Sequence, residues 1–383
     1  MAPASPPQSR FEDWFRRAPV PAFRDVVEKQ PSAGRNLDAL DGIRGLAVLL
    51  VIASHADGLH LKGHGAIGVW LFFALSAFLL TLPYAADPAR SAQPGQLKRY
   101  VVRRLLRILP AYYVAILVVA GLGGKDLSFI GQHLSFVRAS GIFWTIPQEM
   151  LFYVLLPPLV ALHPLVFRKS FPATLLGLSV IALAANSWLT SSVFALHGNG
   201  KLLPFHLGIF VTGMAFAYAS RAPTLTRIVE IPWVNRTLDA LGILILGFLI
   251  FSAPWYLARL VDTFPVLAFI NPRVALQYKG TLGVLCGALI FIALVCEGRL
   301  THRILTSLVL RALGVVSFSL YLFHAVVQTG IQLVWLDGAR GNLLFLCNLA
   351  ASFLLACCVY SLVERPCMRI GRSRPVARRG EEA

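Results

Sequence analysis

LDALDGIRGLAVLLVIASHADG, residues 37–58, is apolar enough to enter a membrane yet holds an arginine and a histidine. Arg44 and His55 stand eleven positions apart. Eleven helical steps make three turns plus about 20°, so both side chains leave one face, roughly 16 Å apart along the axis. One helix then carries a permanent cation near one surface and a titratable base about halfway across the bilayer. Ionisable groups at such depth are costly, and their default reading is functional. The competing reading is an arginine that snorkels from a helix end and a histidine bonded to a neighbouring helix.

Outward from this stretch the rest of the chain has the same character. Of 383 residues, 57% are hydrophobic and 14% charged, with mean hydropathy +0.68, which excludes an ordinary soluble globule. Runs long enough for a ~30 Å hydrocarbon core fall near 40–57, 65–84, 100–121, 146–167, 172–196, 202–220, 238–257, 279–296, 313–336 and 341–362. The expected fold is an all-α polytopic membrane protein with about ten transmembrane helices. The runs are continuous rather than alternating, which argues against a β-barrel.

Basic residues orient the spans. With the N-terminus inside, 27 of the 35 lysines and arginines fall on the cytoplasmic side, so both termini are expected in the cytoplasm and the chain in the inner (plasma) membrane. The formal charge of +17 follows from that topology, and no nucleic-acid partner is expected. Residues 1–36 lack the apolar core of a signal peptide and read as a largely disordered cytoplasmic tail; 37–366 form the membrane domain and 367–383 a basic cytoplasmic tail. The six cysteines form no CxxC pair, so neither a disulfide framework nor a metal site is expected. Walker, Rossmann and HExxH patterns are absent too, which argues against a nucleotide-driven pump, a dehydrogenase or a zincin.

Further polar residues recur within the apolar runs. In LKRYVVRRLLRILPAYY, Arg104 and Arg107 share a helix face at the cytoplasmic boundary. Such a fork suits phosphates, although positive-inside topology alone also accounts for it. GAIGVWLFFALSAFLLTLPY offers small residues for close helix approach. FWTIPQEMLFY puts Glu149 at the outer end of a span, near Trp144, Gln148 and Tyr153, where it could orient a base, bind a hydroxyl-rich acceptor or simply cap the helix. VVSFSLYLFHAVV aligns Ser317, Tyr321 and His324 on one face, either lining a polar cavity or forming an interhelical seam.

The ordered set LDGIRGLAVLLVIASH, GVWLFFALSAFLLT, RRLLRILPAYY, FWTIPQEMLFY and SFSLYLFH, closing with VERP at 363–366, resembles the acyltransferase family 3 membrane proteins. These are O-acyltransferases that modify bacterial surface polysaccharides, O-antigen, Nod factors and some macrolides. The likeness spans roughly residues 37–366. Each motif is weak alone, and five in order make a specific signal. Two positions depart from the family pattern: Trp70 stands where members carry an acid, and Ala77 where they carry glycine.

The resemblance implies a mechanism. Cytoplasmic acyl-CoA, acetyl-CoA in the first instance, docks its phosphates near Arg44, Arg104 and Arg107 as the donor substrate, with no permanently bound cofactor. Its pantetheine arm reaches toward His55, which acts as a base or carries the acyl group transiently. Glu149 holds a glycan or lipid-linked glycan acceptor from the outer side, with Trp144, Tyr321 and His324 as further acceptor contacts. Some members carry a fused esterase-like domain; without one, the expectation is direct transfer or hand-over to a separate partner. A macrolide-like acceptor, a polar-solute transporter or flippase, and a non-catalytic scaffold stand as alternatives.

Overall fold

The structure is a computed structural model that describes residues 21–27, 38–136, 139–167, 170–185, 203–264, 279–334 and 341–372. Every regular element among them is helical. Among the described residues, seven segments are long and apolar enough to cross a membrane: Asp38–Ala56, Gly65–Ala86, Gln96–Leu122, Gly141–Leu162, Pro232–Phe251, Ser317–Val334 and Asn342–Gly371. Two shorter apolar helices, His206–Ala219 and Gly280–Val295, accompany them. The chain is thus a multi-pass, all-helical membrane protein. The expected span 172–196 corresponds to a helix, Phe171–Ala184, and its remainder from 186 lies outside the described residues. So do residues 1–20, 28–37 and 373–383 of the expected tails.

The first long helix, Asp38–Ala56, forms the axis of the bundle. Thirteen of its 19 residues are buried, on every side of the helix rather than along one stripe. Glycines permit this. A methyl at Gly42 would overlap the carbonyl oxygen of Leu305, and one at Gly45 that of Leu310. Gly314 meets the Asp41 carbonyl in the same way from the opposite helix. With lipid tails as apolar as leucine, such close backbone approach supplies dispersion contacts that larger side chains would prevent.

Polar ties secure the periphery. Within the stretch read as an N-terminal tail, residues Pro21–Val27 form a short helix. Its Asp25 accepts two hydrogen bonds from the Arg365 guanidinium, at 2.7 and 2.6 Å, and one from the Tyr360 hydroxyl at 2.8 Å. On the opposite side, the first and second long helices are joined through Asp57–His64, where Asp57, Leu59 and His60 adopt left-handed backbone conformations with φ near +55°. Three non-glycine residues in that region store strain.

His64, just before the second long helix, is 1% exposed and donates from Nε2 to the Leu249 carbonyl at 2.6 Å. Burial holds its pKa below the ordinary 6.5, and the hydrogen bond offsets part of that effect. A lowered folded-state pKa means that the stabilising contribution is complete above 6.5 and is lost as pH falls through 6.5 toward the folded value. The melting temperature in lipid nanodiscs is therefore expected to drop between about pH 7.5 and about pH 5.5, with a shallower slope in His64→Gln. An equal slope in the variant would remove His64 as the cause.

Candidate active site

A cavity of about 270 Å³ opens between the first three long helices, the start of Thr145–Phe167 and the start of Ser317–Val334. It gathers seven of the residues singled out in the sequence: Arg44, Arg104, Arg107, Glu149, Tyr153, Ser317 and Tyr321. Arg44 is ion-paired with Asp41, one turn earlier on its own helix. Asp38, at the mouth, pairs with Arg311 at 3.3 Å. Arg104 and Arg107 enter no ion pair among the described residues. The Arg104 guanidinium stands 6.0 Å from the Tyr153 ring centre, with its Nε buried and unpartnered. Arg107 reaches the Met368 sulfur at 3.7 Å. Glu149 shares the cavity without pairing directly with either arginine, so both guanidinium groups retain donors for a further anion.

Glu149 is held by two hydroxyls. Ser76 Oγ donates to it at 2.7 Å, and Tyr153 one turn on also donates to the same carboxylate oxygen. Glu149 lies near the start of Thr145–Phe167, and Ser76 is central in Gly65–Ala86, so the bond sets the carboxylate beside the middle of that helix, in the cavity that also holds the arginines. It joins residues 73 apart, which hides the pairing from a sequence reading.

The expected place of His55 is corrected. Its helix ends at Ala56, stopped by the left-handed Asp57, so His55 is the penultimate residue and exposed, not halfway across the bilayer. It does not line the cavity. The Nδ1–H donates to the Val51 carbonyl at 2.8 Å, which leaves Nε2 as the ring's acceptor. The ring meets His324 edge-on, with centroids 4.9 Å apart.

Residues of the helix Ser317–Val334 bridge the two. Ser317 and Tyr321 line the cavity, and the Tyr321 ring lies 5.9 Å from that of the fully buried His324. Both readings of this helix face therefore hold, cavity wall at one end and interhelical seam at the other. Tyr321 donates to the Ile142 carbonyl at 2.7 Å and accepts from Thr145 at 3.1 Å, so its hydroxyl braces the site. His324 Nδ1 donates to the Tyr321 carbonyl at 2.7 Å, and its Nε2 is buried without a partner. Trp144 lies behind the wall, packed on Phe73 and His206.

Sequence reading missed Ser76, taken as a packing residue, and Asp41. The Asp41 signal was present: an acid three positions before Arg44 shares its helix face. Neither family departure touches the cavity. Trp70 is buried in the core, and the Ala77 methyl packs toward Gly213, which supplies the missing space.

A sequence model of the family described as an acyltransferase domain matches residues 37–362. A peptidoglycan O-acetyltransferase of Listeria monocytogenes is 26% identical over 87% of this chain and 56% of its own length. A protein of Komagataeibacter xylinus named as a membrane-bound transacylase is 26% identical over 95% of this chain and 92% of its own. Proteins of Staphylococcus aureus named as O-acetyltransferases are 23% identical over 88% of this chain and 58% of theirs. The chain thus spans little more than half the length of the Listeria and Staphylococcus relatives. No solved structure matches.

Proposed function

The chain belongs to the acyltransferase domain family matched over residues 37–362, and from that premise we propose that it moves an acetyl group from acyl-CoA to a hydroxyl of a cell-surface or exported carbohydrate. The observation that carries this reading is a cavity with two arginines that form no ion pair among the described residues, at one end of the first helix, linked through Tyr321 and His324 to an exposed histidine at the other. The protein lies in the inner membrane with about ten spans and both termini in the cytoplasm, as its 27 basic residues on that side favour.

Acyl-CoA enters from the Asp38 end. Its phosphates meet Arg104 and Arg107, whose guanidinium groups donate paired, charge-assisted hydrogen bonds, while Arg44 acts together with its partner Asp41. Glu149, gripped by Ser76 and Tyr153, balances the arginines and fixes the cavity wall. The pantetheine arm passes Tyr321 toward His55, which requires the Phe72–Tyr321 contact at the cavity floor, with ring centres 6.3 Å apart, to part. The acceptor approaches from the exposed side of His55. Nε2 takes the proton of the acceptor hydroxyl as its oxygen attacks the thioester carbonyl. The new C–O bond forms, the C–S bond breaks, and the departing thiolate collects the proton to leave as CoA.

The test uses purified protein in nanodiscs with radiolabelled acetyl-CoA and a crude envelope-glycan fraction. Arg104→Ala and Arg107→Ala are each expected to raise the KM for the donor about 10- to 100-fold, the range of one charged hydrogen bond worth ~1.5–3 kcal/mol. Absence of CoA release from folded wild-type protein, with acetyl-CoA and with longer acyl-CoAs, would turn the assignment to a non-enzymatic transporter.

A further inference from the structure

A second concavity of about 90 Å³ adjoins the cavity and shares Arg104, Leu79 and Leu80 with it. Four arginines line it, Arg90, Arg99, Arg103 and Arg104, and no carboxylate does. None of the four is ion-paired among the described residues. The Nε atoms of Arg90 and Arg104 are buried and unpartnered. Arg90 is held in place by local structure: it lies in the turn Pro88–Ala92, whose Asp87 cap accepts from the Ala89 amide at 3.1 Å. Arg99 donates to the Pro94 carbonyl at 3.3 Å and Arg103 to the Gly371 carbonyl at 3.2 Å, contacts that orient each guanidinium without neutralising it. Positive-inside topology accounts for basic residues at this boundary. It does not account for four of them lining one recess, two with a buried Nε–H that has no partner.

Convergent guanidinium groups of this kind match a phosphate, which accepts several charge-assisted hydrogen bonds and carries up to two negative charges. We propose that this recess is a second anion subsite of the donor site, taking a phosphate monoester of the same molecule whose other phosphates meet Arg104 and Arg107 in the cavity. The inference rests on the acyl-CoA reading above, and it names the 3′-phosphate of the donor's adenosine as the group recognised. Arg104 is the shared wall between the two subsites. An anionic lipid headgroup offers the same phosphate chemistry, so the test separates the two sources.

Steady-state transfer is measured with acetyl-CoA and with dephospho-acetyl-CoA, which lacks only the 3′-phosphate, in phosphatidylcholine nanodiscs. Wild-type protein is expected to show a KM about tenfold lower for acetyl-CoA, the scale of one charged hydrogen bond. Arg90→Ala and Arg99→Ala, each checked for folding by thermal unfolding, are expected to erase that preference by raising the KM for acetyl-CoA alone. Equal KM values in the wild type, or a preference that survives both variants, would overturn the assignment. A preference that vanishes in phosphatidylglycerol discs, with both variants insensitive to the lipid, would give the recess to a headgroup instead. Should wild-type protein use neither thioester, the donor reading falls, and direct binding then decides the recess. Tighter binding of adenosine 3′,5′-bisphosphate than of adenosine 5′-monophosphate, lost in Arg90→Ala, upholds it; equal binding of the two rejects it.

Discussion

His55→Ala is expected to leave the helix bundle folded and to lower acyl transfer about 10²- to 10⁴-fold, the usual contribution of a positioned general base. The fold survives because the side chain is exposed at the last turn of its helix and its polar tie reaches only the Val51 carbonyl on that helix. The chemistry does not, because the same tie is what leaves Nε2 free to accept a proton. His55→Gln presents an amide with no comparable basicity, so it should be as inactive as the alanine variant. The measurement is radiolabel transfer to the envelope-glycan fraction, alongside thermal unfolding of each variant. Transfer within twofold of wild type in a folded His55→Ala protein would exclude this histidine from the proton transfer.

Gly45→Ala is expected to be strongly destabilising. A single methyl there would overlap the Leu310 carbonyl oxygen, which is backbone and cannot rotate away. The first helix must then move from its neighbour along the seam that also contains Gly42 and Gly314, giving up close contacts at all three. We expect a loss of about 3 kcal/mol or more, at the upper end of overpacking costs. Gly247→Ala is the matched comparison. It lies in Pro232–Phe251 with nothing within 4 Å of an added methyl, so the greater helix propensity of alanine should make it neutral or stabilising by up to ~1 kcal/mol. Parallel melting curves in detergent would show the two substitutions moving in opposite directions. Equal behaviour would mean that the axial packing does not govern stability.

Helix positions were legible because apolar run length is a local property. The runs read at 65–84, 100–121 and 341–362 correspond to Gly65–Ala86, Gln96–Leu122 and Asn342–Val359. The arginines were legible for a similar reason, since charge inside an apolar run stands out whatever surrounds it. Depth was not legible. It depends on how a helix sits among its neighbours rather than on where its apolar run stops, which the run 40–57 placed within a residue of the observed end at Ala56. Nor could Ser76 be distinguished from the small residues beside it, because its role exists only once Glu149 arrives from 73 positions away. The arginine recess escaped notice because Arg90 joins Arg99 and Arg103 only when the Pro88–Ala92 turn folds back over the third long helix.

The glycine seam also has a consequence for biosynthesis. Leu310, whose backbone fills the groove at Gly45, lies 265 residues later in the chain. At ~5–20 residues per second, translation needs roughly 10–50 s to supply it. For that interval the first long helix sits in the bilayer with its groove unmatched and its Arg44–Asp41 pair facing lipid or whatever insertion machinery surrounds it. Ribosome-stalled chains ending before residue 300 should therefore hold this helix as a separable, protease-accessible segment, and the axis of the finished bundle should be among the last parts to become permanent.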